Sequence, residues 1–387
     1  MKIAVISNRF YPTVGGAEIN TLGILKELAK KHDITVLTPF RVRSKKEEVL
    51  QGIKIKRFWN IFNPFSSFPY IRGIAFCPGI VKELLDVNYD LIHIYPMADI
   101  IHVPYFLSKL FHKPLILTVY DLRGYSLTNP PSSLTYDQVH FLKKWTLKHF
   151  DFIFSISHYE SAIINKINRN SLYVPCGVDL EPFDRIKNSN FRKKFKINSQ
   201  YIVLSVSRIE EYKGQHIIIE AIPDIIKQEP DVSFIFAGPV FNHQYYAKLR
   251  SLVKKMNLEK YVLFTGLLSS EDLQSAYHDC DLHILPVHFI NFPDTVIEAW
   301  AAKKPVIISN RVDPPWIVED GKDGFYFDIN NKQALVEKTI MLLQNKNLRC
   351  EMGNAGRKKV EDLKFTFKTI AANVEAVYNV VRRENRT

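Results

Sequence analysis

Residues 288–310 read His288-Phe-Ile-Asn-Phe-Pro-Asp-Thr-Val-Ile-Glu-Ala-Trp-Ala-Ala-Lys-Lys-Pro-Val-Ile-Ile-Ser-Asn310. Just before them, Asp281-Leu-His-Ile-Leu-Pro286 is a short apolar run closed by proline, the pattern of a buried strand. Asn291 and Asp294 are residue types that favour a helix N-cap, Pro293 is tolerated in a first turn, and Val296, Ile297 and Trp300 recur at helical spacing. Pro305-Val-Ile-Ile-Ser309 reads as the next buried strand. Strand, loop, helix and strand in that order predict an α/β fold built on parallel sheet. A helix N-terminus fed by a loop at the carboxyl end of a parallel strand offers backbone N–H groups and a positive dipole end, which suit a phosphate or diphosphate. Glu298, one turn into the helix, is placed to hold a ribose or sugar hydroxyl.

Upstream, strand Tyr201–Ser207 runs into Arg208-Ile-Glu-Glu-Tyr-Lys213-Gly214, and a helix is expected over His216–Gln228. Two cations around a tight turn suit a diphosphate, whereas an Arg and a Lys alone in such a turn are ordinarily a solvated face. Strands Phe234–Pro239 and Tyr261–Gly266 carry Gly238 and Gly266 at their ends, and Glu271–Tyr277 leads a helix. At the other end of the chain, strand Ile3–Ser7, helix Ile19–Lys31 and strand Asp33–Thr38 form a βαβ unit with Gly15-Gly16 before the helix. The loop is too long for the three-glycine dinucleotide fingerprint. The glycine pair either lets backbone approach a ligand or serves a turn needing positive φ. Strand Pro114–Val119 leads into Tyr120-Asp121, where Asp121 is either a helix N-cap or a site carboxylate.

The run Phe292-Pro-Asp-Thr-Val-Ile-Glu-Ala-Trp-Ala-Ala-Lys-Lys-Pro-Val-Ile resembles the donor-site signature of the retaining, nucleotide-sugar-dependent glycosyltransferases with the GT-B fold, the glycogen synthase and mannosyltransferase group (family 4-like). That resemblance extends strongly over 200–360 and more diffusely before it. It implies two Rossmann-like domains whose parallel sheets face an interdomain cleft. An acceptor-side domain is expected over 1–185, a nucleotide-sugar domain over 186–364, and a helix crossing back to the first domain over 365–387. It further implies Arg208 and Lys213 as the donor-phosphate pair, with Glu298 and Asp121 beside them as catalytic-site residues. Gly15, Gly16, Gly238, Gly266, Asn291, Thr295 and Val296 are implied as donor-binding positions, and Glu18 and Tyr120 as further candidates. The activity implied is retaining transfer of a hexose-type sugar from a nucleotide diphosphate sugar to a glycan or lipid-linked acceptor. The fixed cations would do the work of a metal, so no metal and no cofactor is expected.

The family signature has two glutamates separated by seven residues; Glu298 matches the second, Ile290 falls on the first, and Asn291 replaces the usual glycine. Isoleucine accepts no hydrogen bond. Either Asn291 or backbone substitutes, or the donor sugar differs at that hydroxyl, or the chain is a silent binding or scaffold protein. A sugar-nucleotide epimerase shares the fold and is a further alternative.

The chain has 387 residues, enough for two domains of ordinary size. Its net charge is +12, and 22 of its basic and 14 of its acidic residues fall in 1–180. The basic first half favours an anionic surface or substrate, or simply keeps the protein soluble. Nucleic acid is not the partner expected. Two segments pair basic with aromatic residues: the loop Trp59–Phe76, and the helix His140–His149 with Trp145 and Lys148. Each either covers the core or touches an anionic membrane. Met1–Arg9 reads as a first core strand rather than a signal peptide, and no window predicts a spanning helix. Cys77, Cys176, Cys280 and Cys350 lack metal-ligand spacing and read as buried hydrophobes in a reducing, cytoplasmic setting. Arg185–Gln200, rich in Lys and Asn, reads as a linker.

Overall fold

The computed structural model describes residues 1–12, 15–40, 44–59, 78–95, 112–122, 139 and 141–384. The chain folds as two compact units: 1–177 with 367–387, and 178–366. Each is an α/β unit around one sheet, as the apolar runs and helical spacings require.

In the first unit the sheet strands are β1 (Lys2–Ser7), β2 (Asp33–Pro39), β3 (Glu47–Leu50), β4 (Ile53–Phe58), β5 (Leu91–Tyr95), β6 (Leu115–Val119), β7 (Phe152–Ser155) and β8 (Ser171–Tyr173). They lie in the order β3-β4-β2-β1-β5-β6-β7-β8, all parallel except the β3–β4 pair. The central strands β5 and β6 are buried along their whole length and β1 from its second residue on, the expected look of parallel strands covered on both faces. Helices here are α1 (Gly16–Leu28), α2 (Pro78–Asp86), α3 (Phe141–Leu147) and α4 (His158–Ile167). Ser157 caps α4 by accepting from the Glu160 N–H.

The second unit carries α5 (Glu181–Arg185), α6 (Phe191–Lys194), β9 (Tyr201–Val206), α7 (Gln215–Ile226), β10 (Val232–Ala237), α8 (His243–Lys255), β11 (Val262–Gly266), α9 (Ser270–Asp279) and β12 (Leu282–Leu285). It continues through α10 (Asp294–Ala301), β13 (Val306–Ser309), β14 (Gly324–Phe327), α11 (Lys332–Gln344) and α12 (Lys346–Asp362). All its strands are parallel, in the order β11-β10-β9-β12-β13-β14. The order reverses direction between β9 and β12, which makes that pair the switch point where ligands of such sheets collect.

Three expectations are corrected. The unit boundary falls at 177/178 rather than near 185, because Val178 already bridges Thr366 and Asp184 accepts a bidentate pair from Arg357 of α12. Arg185–Gln200 is no loose linker: it contains α6, and Arg192 donates to the Ser199 and Gln200 carbonyls. Cys176 and Cys280 are buried, but Cys350 is exposed on α12; Cys77 lies outside the described residues.

The last helix, α13 (Phe367–Glu384), returns to the first unit. Its Tyr378 hydroxyl shares a 2.5 Å hydrogen bond with Nδ1 of His93 on β5, whose Nε2 lies 2.8 Å from Thr118 Oγ1. All three are buried, and burial pushes His93 well below the ordinary histidine range. Arg382 adds an ion pair to Asp90, and Lys31 and His32 meet Glu375. Of the expected membrane-facing segments, residues 60–77 lie outside the described residues, and Trp59 stacks on Phe40 at 4.6 Å. Helix α3 leaves Trp145 44 % exposed. Among the described residues no helix is long and apolar enough to cross a membrane.

Tyr378→Phe should lower stability in urea unfolding by about 1–3 kcal/mol, because it strands the buried His93 nitrogen. A His93 held neutral in the fold titrates in the unfolded chain near 6.5, so its contribution is present above that pH and is lost as pH falls below it. Unfolding at pH 7.5 and 5.5 should show the decline, and His93→Gln should flatten it.

Candidate functional site

Strands β9 and β12 lie side by side at the switch point, and the loops leaving their carboxyl ends carry the candidate residues. After β9 comes a single 3₁₀ turn, Glu211–Lys213, closed by Gly214 in the left-handed region at φ 72°. A Cβ at Gly214 would stand 1.9 Å from the Pro286 carbonyl oxygen at the end of β12, so only glycine lets the two loops meet. Gln215, fully buried, staples the turn: its side-chain amide donates to Ser207 Oγ (2.9 Å) and to the Arg208 carbonyl (2.8 Å). The second loop fastens to the first through the His288 N–H, which donates to the Tyr212 carbonyl at 2.8 Å. The Tyr212 ring stacks on Phe289 at 5.2 Å.

This scaffold holds Arg208 and Lys213 in one niche. Arg208 donates to the Tyr212 hydroxyl (2.6 Å), pairs with Glu210 (3.2 Å) and lies 4.6 Å from the ring of Phe241, itself 46 % exposed. Lys213 Nζ lies 4.8 Å from the Tyr212 ring. Desolvation, followed by repulsion from Arg208, lowers Lys213 to about 8, with Glu210 and Asp294 opposing the fall. Asp294 thus links the cationic turn to α10. On that helix Glu298 is pushed up to about 7 by burial, with Asp294 adding to the rise and a hydrogen bond from Tyr277 opposing it. The Tyr277 hydroxyl donates to Glu298 Oε2 at 2.8 Å. Asp294 is therefore the residue common to both surroundings, acting on Lys213 beside Arg208 on one side and on Glu298 on the other.

The start of α10 differs from expectation. Neither Asn291 nor Asp294 caps it; Pro293 occupies the cap and Asp294 is the first helical residue. The Asp294 N–H bonds to the Phe292 carbonyl and that of Val296 to the Pro293 carbonyl, because the proline cap tightens the first turn. These two N–H groups are therefore already satisfied. Thr295 places its hydroxyl 3.2 Å from His283 Nε2, and burial lowers His283 to about 3, so its ring is neutral. Asn291 is buried, and Ile290 is pinned by its backbone: its N–H bonds to the Arg311 carbonyl and its carbonyl accepts from Asp313.

Gly238 follows β10 and packs its backbone against Ser207, with its N–H bonded to the Gly266 carbonyl at the end of β11. Gly15, Gly16 and Asp121 belong to the first unit. Gly15 precedes α1 in extended backbone (φ −160°), so the positive-φ turn is not its role, and Gly16 is the first residue of α1. Asp121 is half-buried just after β6. The neighbouring Tyr120 hydroxyl receives Asn20 Nδ2 at 2.8 Å and meets Thr21 Oγ1 at 3.2 Å, tying β6 to α1. Tyr212 and Tyr277 were not foreseen. Tyr212 stood inside the quoted turn, but nothing in the spacing of Tyr277 indicated that it reaches Glu298.

The sequence profile of "Glycosyl transferases group 1" matches residues 187–359, and that of "Glycosyltransferase Family 4" matches 14–182. The chain belongs to this glycosyltransferase family. The two profiles meet between 182 and 187, a few residues after the division of the two units at 177/178, and the catalytically silent and epimerase alternatives give way to the transferase. Among its curated relatives, the enzyme is 24 % identical to Spore coat protein SA of Bacillus subtilis, over 98 % of this chain and 99 % of that protein. It is 23 % identical to the alpha-monoglucosyldiacylglycerol synthase of Acholeplasma laidlawii, over 89 % of each chain. Among solved structures, Anabaena HepE in complex with UDP and glucose matches at a TM-score of 0.78 and 19 % identity, over 98 % of this chain and all of that one. The fold is GT-B.

Because Lys213 is held below its ordinary value of 10.5, the folded enzyme carries a cost of charging it that is complete below about pH 8. That cost is relieved as pH rises from 8 to 10.5. Lys213→Met should therefore stabilise the ligand-free enzyme at pH 7 by about 1–3 kcal/mol, with the gain shrinking over that window in urea titrations.

Proposed function

We propose that this glycosyltransferase moves a hexose-type sugar, with retention at the anomeric carbon, from a nucleotide diphosphate sugar to a lipid-linked or glycan acceptor. The observation that carries the reading is the placement of Arg208 and Lys213 on the turn after β9, close enough to feel Asp294 at the start of α10 after the adjacent β12, with Glu298 one turn further along that helix. Support comes from HepE, whose complex holds UDP and glucose, and from the relative named alpha-monoglucosyldiacylglycerol synthase.

In this reading the donor diphosphate takes the place of Glu210 at the Arg208 guanidinium and pairs with the Lys213 ammonium, offsetting the desolvation and repulsion that hold Lys213 at about 8. Departure of the diphosphate concentrates negative charge on its oxygens. Fixed cations bind that state better than the intact donor, and this lowers the barrier. The same cations remove the need for a divalent metal. Glu298 accepts a hydrogen bond from a ribose or sugar hydroxyl. Ile290 leaves one donor hydroxyl without the carboxylate found in the family signature, and Asn291 beside it is the substitute. Asp121 serves the acceptor, while Gly15 and Gly16 are donor-binding positions. With a lipid-linked acceptor the enzyme works at the cytoplasmic face of a membrane, where its positive charge favours anionic headgroups.

Incubation with labelled nucleotide sugars should release nucleoside diphosphate and move label into a lipid extract; label that stays in water-soluble glycan would instead identify a glycan acceptor. Nucleoside diphosphates should raise the melting temperature of the wild type, and Lys213→Ala should remove that rise; an unchanged rise would sink the donor assignment. Arg208→Ala should lower kcat by about 10²–10³-fold. Donor binding should weaken as pH rises through about 8, since Lys213 then loses its charge.

A further inference from the structure

Tyr277 sits in α9, two residues before its end, with its side chain fully buried. Two aromatic neighbours meet its ring edge-on: Phe183 of α5 at 6.1 Å and His283 of β12 at 5.8 Å. So confined, the ring aims its hydroxyl at the first two turns of α10. There it lies 2.8 Å from Glu298 Oε2 and 3.3 Å from the Thr295 carbonyl oxygen. A phenol has one proton to donate, and the shorter contact is the one to the carboxylate. A hydroxyl on α9 is thus fixed against a carboxylate one turn into α10, the next helix along the chain.

We infer that Tyr277 is a positioning residue: its hydroxyl holds one oxygen of Glu298 and presents the other, ionised, to a hydroxyl of the donor. This rests on the reading of Glu298 as a donor contact. Its logic is one of competing protonation states. A buried carboxylate tends to keep its proton, and a protonated Glu298 would offer a donor where an acceptor is needed. Asp294, on the same helix, pushes in the direction of protonation, as does burial. The Tyr277 hydrogen bond stabilises the anion. The remaining groups are placed to leave that balance alone. His283 is neutral and occupied with Thr295, Cys280 lies against Tyr277 rather than the carboxylate, and Lys213 faces Asp294.

The test compares wild type, Tyr277→Phe, Glu298→Gln and the double variant. Binding of UDP, GDP and ADP is measured by calorimetry from pH 5.5 to 9.5, and the tightest binder is carried through. The wild type should show an acid limb near 7 from Glu298 and an alkaline limb near 8 from Lys213. Tyr277→Phe, which removes one oxygen and little volume, should move the acid limb up by about one pH unit or more and leave the alkaline limb in place. It should have no further effect in the Glu298→Gln background. Carbon-13 chemical shifts of the Glu298 carboxyl in the ligand-free proteins should show the same displacement. If Tyr277→Phe weakens binding equally at every pH, or leaves the carboxyl titration where it was, the positioning role is overturned. If Glu298→Gln binds as wild type with the same acid limb, the donor role of Glu298 itself is wrong, and the carboxyl titration separates that failure from the first.

Discussion

Two like charges in one half-buried niche are the constraint on which the second unit turns. Arg208 and Lys213 repel each other, and the protein around them reduces the hydration that would otherwise disperse the repulsion. Left alone such a pair would swing apart into solvent. Here it cannot, because the turn that carries it is closed by Gly214 against Pro286, stapled by Gln215 and bolted through Tyr212 to the loop after β12. Glu210 and Asp294 temper the repulsion without cancelling the function of the niche. Burial and the neighbouring Arg208 hold Lys213 below its ordinary value, and under the proposed function a donor diphosphate would offset that repulsion.

The helix that completes the site is held with equal firmness from behind. Trp300 of α10 is fully buried, donates its indole N–H to the Asp323 carbonyl at 2.7 Å, and packs on Gly356 of α12. Arg357 of α12 reaches the Ala301 carbonyl at the end of α10 and, through Asp184, the segment that enters the unit. Preorganisation of this kind lets fixed charges act on a reacting group without first reorganising themselves. Glu298 benefits from the same economy, since its neighbours and not its own flexibility decide how it is oriented.

Much of this was legible in the residue order. The strand, loop and helix around Asp294, the turn from Arg208 to Gly214 and the parallel architecture follow from apolar periodicity and punctuation by glycine and proline, whereas the return of the last helix was expected only from the family resemblance. The edges were less legible. Pro293 rather than Asn291 or Asp294 begins α10, because proline can take the cap geometry and tighten the turn beyond it. The Lys- and Asn-rich stretch after 185 reads as linker from composition, yet its backbone is folded by Arg192 bonding to carbonyls seven and eight residues on.

The amino-acid sequence by itself determined that the chain is a doubly built α/β protein and which turn and helix carry the candidate cations and carboxylate, since those depend on patterns within a few residues of one another. Only the tertiary structure decided that Glu210 pairs with Arg208, that Lys213 and Asp294 sense each other, and that Tyr277 reaches Glu298. Those facts come from which strands lie side by side at the switch point and how far buried side chains lose water. Neither is a property of any local stretch of chain.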